Sequence, residues 1–121
     1  MPRYAAIDIG SNSIRMAAAE VLPGAPTRLL ASERVVTRLG EGVFRNGVLS
    51  QESLELTYSV LAKMAQQYQK LDVVGVRAVA TSAVRDSRNQ SQFVVFVTPL
   101  IKSSASAGSD KIKKKFRLDQ N

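Results

Sequence analysis

Ala6-Ile7-Asp8-Ile9-Gly10-Ser11-Asn12-Ser13-Ile14-Arg15 lies where one apolar run, starting at Tyr4, gives way to a second that ends at Val21. The first run closes on an acid and a glycine, three small polar residues follow, and the second run begins. This is the pattern of strand, tight turn, strand. Gly10 carries no Cβ, so the backbone there can approach a ligand closely. Successive N–H groups at Gly10, Ser11 and Asn12 can line an anion-binding concavity, with the Ser11, Asn12 and Ser13 side chains as further donors. Asp8 at the strand end suits a divalent cation held through water beside a phosphate. The same residues also suit an ordinary hairpin turn in which Asp and Ser serve turn chemistry alone.

Working outward, the pattern predicts strands over residues 4–9, 14–21, 27–39 and 73–80, the first three as an antiparallel meander. Pro23-Gly24-Ala25-Pro26 is a loop, and Gly40, Gly42 and Gly47 break the chain after the third strand. Ser50 is placed to cap a helix, and Glu52 suits its first turn. Leu54, Tyr58, Leu61, Met64, Ala65, Tyr68 and Leu71 recur at three- and four-residue spacing, which predicts a helix over 51–70 with one face in a core. The fourth strand is apolar on both faces, as in a parallel strand covered on both sides. Thr81 or Ser82 then starts a second helix that carries Arg85, Asp86 and Arg88 and ends by Phe93. The run Val94–Val97 favours strand. From Lys102 onward the chain is rich in Ser, Ala and Gly and then in Lys, a composition that predicts disorder.

Composition narrows the chemistry. The 121 residues make one small domain at most, and 45% hydrophobic residues suffice for a core. With no cysteine there is neither a disulfide framework nor a thiolate metal site. With no histidine there is no imidazole base, no His-based triad and no imidazole metal site. Acid–base work falls to carboxylates. No segment approaches the roughly 18 apolar residues of a membrane span. Arg3 leads straight into a strand without a leader pattern, so a cytoplasmic location is expected. The net charge is +7 and unevenly spread. Residues 1–93 hold two lysines and nine arginines against eight acids, leaving +3; residues 94–121 hold five lysines and one arginine against two acids, leaving +4.

Four segments, in order, resemble the exopolyphosphatase and guanosine pentaphosphate phosphatase (Ppx/GppA) family. Asp8-Ile9-Gly10-Ser11-Asn12-Ser13 resembles its first phosphate loop. Arg38-Leu39-Gly40-Glu41-Gly42 resembles its glycine turn after the third strand. Gly47-Val48-Leu49-Ser50 resembles the lead-in to its first long helix. Ala78-Val79-Ala80-Thr81-Ser82-Ala83-Val84-Arg85-Asp86, with Asn89, resembles its A-T-x-A-x-R-x-A-x-N segment. The resemblance covers residues 4–93 and is lost beyond Phe93.

It implies an α/β fold: an incomplete actin-like ATPase (ribonuclease H-like) domain, with a three-stranded antiparallel meander, a helix, a parallel strand and a second helix. It divides the chain into the N-terminal half of such a domain, 1–93, and a divergent basic tail, 94–121. It implies hydrolysis of phosphoanhydride bonds in inorganic polyphosphate or guanosine pentaphosphate with Mg²⁺. Phosphate would lie on Gly10, Ser11, Asn12, Ser13 and Arg85, with Asp8 toward the metal. The family's water-activating Glu segment (N/Q-E-E-A-R-x) and its second loop (Asp-x-Gly-Gly-Gly-Ser) do not occur in these residues, so no catalytic residue is assigned and a truncated, inactive form is expected. The alternative is a non-enzymatic module in which Lys111, Lys113, Lys114, Lys115 and Arg117 bind nucleic acid or another polyanion by charge.

Overall fold

A computed structural model describes residues 2–102 and 117–118. Strands β1 (Arg3–Ile9), β2 (Ser13–Glu20) and β3 (Arg28–Val36) are followed by helices α1 (Leu39–Asn46) and α2 (Gln51–Gln69). Strand β4 (Gly75–Ala80), helices α3 (Ser82–Arg85) and α4 (Gln90–Lys102), and a two-residue β5 (Arg117–Leu118) complete the order. The sheet order is β3-β2-β1-β4-β5. The meander is antiparallel, with Asp8 opposite Arg15 and Ile9 opposite Ile14. β4 lies parallel to β1, pairing Ile9 with Ala80. A parallel neighbour needs a crossover, which α1 and α2 supply. The architecture is the α/β arrangement expected from the sequence.

Alternation in the strands creates the core. Ala5, Ile7 and Ile9 of β1, Ile14, Met16 and Ala18 of β2, and Val76, Ala78 and Ala80 of β4 are buried in one cluster with the helices. The α2 helix begins as expected: the Ser53 N–H donates to the Ser50 hydroxyl at 3.1 Å. Its buried stripe is Leu54, Thr57, Val60, Leu61, Met64, Ala65 and Tyr68, while Tyr58 and Leu71 sit at the margin. Burial pushes the Tyr58 hydroxyl above the usual tyrosine range.

Several expectations are corrected. The glycine segment after β3 is not a break but helix α1, with Gly40 and Gly42 inside it and Gly47 (φ 77°) capping its end. β3 accordingly stops at Val36 rather than Leu39. The second helix is divided: α3 is a single turn, and α4 starts at Gln90. Val94–Val97 is helix, not strand. A run of valines favours a strand in isolation, yet the spacing of Phe93, Val97 and Ile101 puts three buried side chains on one helical face, and α4 packs that face beside α2. Tertiary burial overrides local propensity here. The division at Phe93 therefore falls inside a helix.

β4 is not covered on both sides either. Arg77 is exposed and Val79 half-exposed on the face away from the helices. Part of the segment expected to be disordered is ordered: Lys102 ends α4, and Arg117–Leu118 pair parallel with Val79–Ala80. Residues 103–116 and 119–121, with the Lys111–Lys115 cluster, lie outside the described residues.

Candidate functional site

Three segments leave the sheet at one edge. The β1–β2 turn starts after Ile9, β3 ends opposite Ser13, and β4 ends opposite Ile9. The turn closes through a Gly10 N–H to Ser13 carbonyl bond of 3.0 Å, so this N–H, expected to face an anion, is engaged inside the turn instead. A Cβ at Gly10 would stand 3.0 Å from that same oxygen, a tight contact that favours glycine at this point. The Asn12 carbonyl accepts from Thr37 and Arg38 N–H at 3.0 and 2.9 Å, and the Ser11 carbonyl accepts from Gly40 N–H at 2.8 Å. Arg38 takes a left-handed conformation (φ 54°) that redirects the chain from β3 into α1. On the other side the Thr81 N–H and hydroxyl both donate to the Ile9 carbonyl, at 3.0 and 3.3 Å. Gly10, Ser11, Asn12 and Ser13 are thus held between α1 and the start of α3.

Arg85 lies one helical turn past Thr81, its N–H bonded to the Thr81 carbonyl at 3.1 Å. Its Nε donates to Asp86 Oδ1 at 3.3 Å. The structure brings Arg85 to the same edge as the turn. The bonds that link the two pass through Thr81 and Ile9.

Asp8 is elsewhere. It projects from the exposed face of β1, opposite Arg15 on β2 and Val79 on β4. The hairpin symmetry makes this pairing readable: the turn that joins residues 10 and 13 sets Ile9 against Ile14 and Asp8 against Arg15. Arg15 was given no role in the sequence reading, and neither was Thr81 beyond starting a helix. Asp8, Arg15, Arg34 and Arg77 line a cavity of about 730 Å³ on the open face, floored by Ala6 and Ala17. Asp8 makes no ion pair among the described residues. No group of three or more acidic ligands occurs among the described residues. Asp8 and Glu33 are the acids that line this cavity, beside the three arginines; they form no closed metal cage, and Asp8 could contribute only in the manner of Mg²⁺ held by one or two carboxylates with waters and phosphate oxygens.

A model of the Ppx/GppA phosphatase family matches residues 15–104. The chain belongs to this family. The match continues past Phe93, where the sequence reading had ended it. Over 93 residues the chain is 33% identical to a guanosine-5'-triphosphate,3'-diphosphate pyrophosphatase of Aliivibrio fischeri, spanning 77% of this chain and 18% of that protein. The Ppx/GppA chain therefore spans under a fifth of the curated relatives it matches. The crystal structure of the Aquifex aeolicus family member superposes with a TM-score of 0.78 at 27% identity, covering 98% of this chain and 35% of that one. An exopolyphosphatase from Cytophaga hutchinsonii superposes with a TM-score of 0.79 at 21% identity, over 96% of this chain and 33% of that one, a likeness of fold. Among the described residues no helix is long and apolar enough to cross a membrane.

Proposed function

We propose that this chain forms one phosphate-binding wall of a Ppx/GppA-type phosphatase that hydrolyses phosphoanhydride bonds in inorganic polyphosphate or guanosine pentaphosphate. The observation that carries the reading is the tied turn. The carbonyls of Ile9, Ser11, Asn12 and Ser13 all accept internal hydrogen bonds. Their negative ends are thereby engaged inward, which removes a source of repulsion for an anion at the turn; the Gly10 N–H is engaged in the same way, so Gly10 would serve by close approach rather than as a donor. Arg85, on the adjoining turn, adds a guanidinium suited to two-point contact with phosphate. Asp8 and α3 lie toward the same strand end on opposite faces of the sheet, so Asp8 would be the residue to hold Mg²⁺ and Arg85 the residue to hold phosphate. Bound in that position, Mg²⁺ would offset charge on the phosphoryl group being transferred. Asp8 would hold it with water and phosphate oxygens, and the names of the relatives support a nucleotide or polyphosphate substrate.

The test is an NMR titration of the chain with tripolyphosphate and Mg²⁺. Amide shifts at Gly10–Ser13 and Arg85 are expected together, weakened by salt and reduced by Asp8→Ala and by Arg85→Ala. Binding that survives both substitutions and is lost on replacing Lys111, Lys113, Lys114 and Lys115 would refute this reading in favour of a basic polyanion-binding segment.

A further inference from the structure

Asn89 closes the segment that carries Arg85, yet it stands four residues beyond it and outside the turn. Its side chain forms a reciprocal pair with one backbone unit: Leu49 N–H donates to Asn89 Oδ1 at 2.9 Å, and Asn89 Nδ2 donates to the Leu49 carbonyl at 3.1 Å. The neighbouring Arg88 extends the same clasp. Its N–H donates to the Gly47 carbonyl at 2.8 Å and its Nη2 to the Asn46 carbonyl at 3.0 Å. Gln90 Nε2 then reaches back to the Arg85 carbonyl at 3.0 Å. Four hydrogen bonds therefore fasten residues 88–89 to the end of α1 and to the loop that follows it, Arg88 to Asn46 and Gly47 and Asn89 to Leu49.

These bonds complete a closed circuit. From the turn, Ser11 and Asn12 bind the start of α1; the end of α1 binds Arg88, and Leu49 in the loop just after it binds Asn89; Gln90 holds the end of α3; Thr81 at its start binds Ile9, next to the turn. Helix α1 is the strut in that ring, and its length sets the span between the anion-binding turn and Arg85. We propose that Asn89, with Arg88, is a positioning residue that locks the segment after α3 to α1 and its following loop, and so holds Arg85 at its working distance from Gly10–Ser13. This rests on the phosphate-site reading given above. A carboxamide suits the task because it presents one donor and one acceptor side by side, matching a backbone C=O and N–H as a strand neighbour would. Aspartate offers only the acceptor.

A double-mutant cycle read by NMR titration with tripolyphosphate tests this. Arg85→Ala should weaken binding. Asn89→Ala should weaken it about threefold to tenfold, the range for losing a half-buried pair of hydrogen bonds, with the Gly10–Ser13 shifts retained. In the Arg85→Ala background, Asn89→Ala should have no further effect, since its influence passes through Arg85. A general loss of structure would instead weaken both backgrounds alike. Asn89→Asp keeps the bond to Leu49 N–H and should fall between, which preserves the test should Asn89→Ala fail to fold. Unchanged affinity in Asn89→Ala, an equal loss in both backgrounds, or no effect of Arg85→Ala would each overturn the proposal while leaving the turn as an anion site. Absence of any shift at Gly10–Ser13 in the unsubstituted chain would overturn the phosphate-site reading, and the proposal with it.

Discussion

Gly40 and Gly42 look alike in sequence and differ sharply in what surrounds them. Both lie in α1, where alanine is favoured over glycine by up to about 1 kcal/mol. A Cβ on Gly42 would meet only the Val48 carbonyl at 3.6 Å, an ordinary contact. A Cβ on Gly40 would stand 2.9 Å from Phe44 Cε2 and 3.0 Å from Ser11 Cβ, with the Ser11 carbonyl at 3.3 Å. The Phe44 ring is the far end of an exposed side chain and can swing away. Ser11 cannot, because its carbonyl accepts the 2.8 Å bond from Gly40 N–H and its neighbour Asn12 is held by Thr37 and Arg38. Overpacking of this kind costs about 1–3 kcal/mol, which cancels or outweighs the helical gain. Gly42→Ala should therefore stabilise the chain by about 0.5–1 kcal/mol, and Gly40→Ala should leave it unchanged or destabilise it by up to about 2 kcal/mol. In urea, with a slope of about 1–3 kcal/mol per molar, the two midpoints should differ by about 1 M. Amide shifts at Ser11–Ser13 should move in Gly40→Ala alone. Equal stabilisation by both substitutions, with the turn unmoved, would refute the claim that α1 is seated against the turn.

Two further outcomes test the rest of the frame. On α4, Ile101→Ala should cost about 2–5 kcal/mol, whereas Val95→Ala, exposed on the same helix, should change stability by under about 0.5 kcal/mol; a strand or an unstructured segment there would not separate these positions, and urea unfolding measures the difference. Glu20→Ala should cost about 1–2 kcal/mol, because its buried carboxylate accepts from Arg3 Nε at 3.3 Å and Arg28 Nη1 at 3.4 Å. Arg28→Ala should cost under about 0.5 kcal/mol, since that side chain is 77% exposed and its pairing is screened by water. A larger loss from Arg28 than from Glu20 would contradict this ranking.

The strands and the long helix were legible because each carries its own local signal. β1 and β2 alternate in burial along their length, and α2 shows both its cap and its stripe. The turn was legible for a related reason: Gly10 and the polar residues after it occur where two alternating runs meet within a few residues. Helix α1 was not, since its glycines argue against a helix in isolation. They are tolerated because Leu39 and Val43 bury against the core and because one of them must let the turn come close. The open face of β4 was hidden differently. Val73 to Ala80 reads as apolar on both sides, yet Arg77 and Val79 share the open row, and which side the helices take depends on the crossover rather than on β4 itself.

The candidate site was half legible, and the division follows the range of the forces involved. Residue types suited to phosphate could be recognised one segment at a time at Gly10–Ser13 and at Arg85. Their common edge required the parallel register of β1 with β4, which sets Ile9 beside Ala80. That register also separates what looked like one cluster: Asp8 and Ile9 are adjacent in sequence but face opposite sides of the sheet. A carboxylate on one face and an arginine turn on the other can meet only around the strand end, at the position of Gly10. Any side chain there would stand against the Ser13 carbonyl. The glycine therefore closes the turn and, in the proposed phosphate site, also keeps clear the strand end at which the two faces of the sheet would address a single anion.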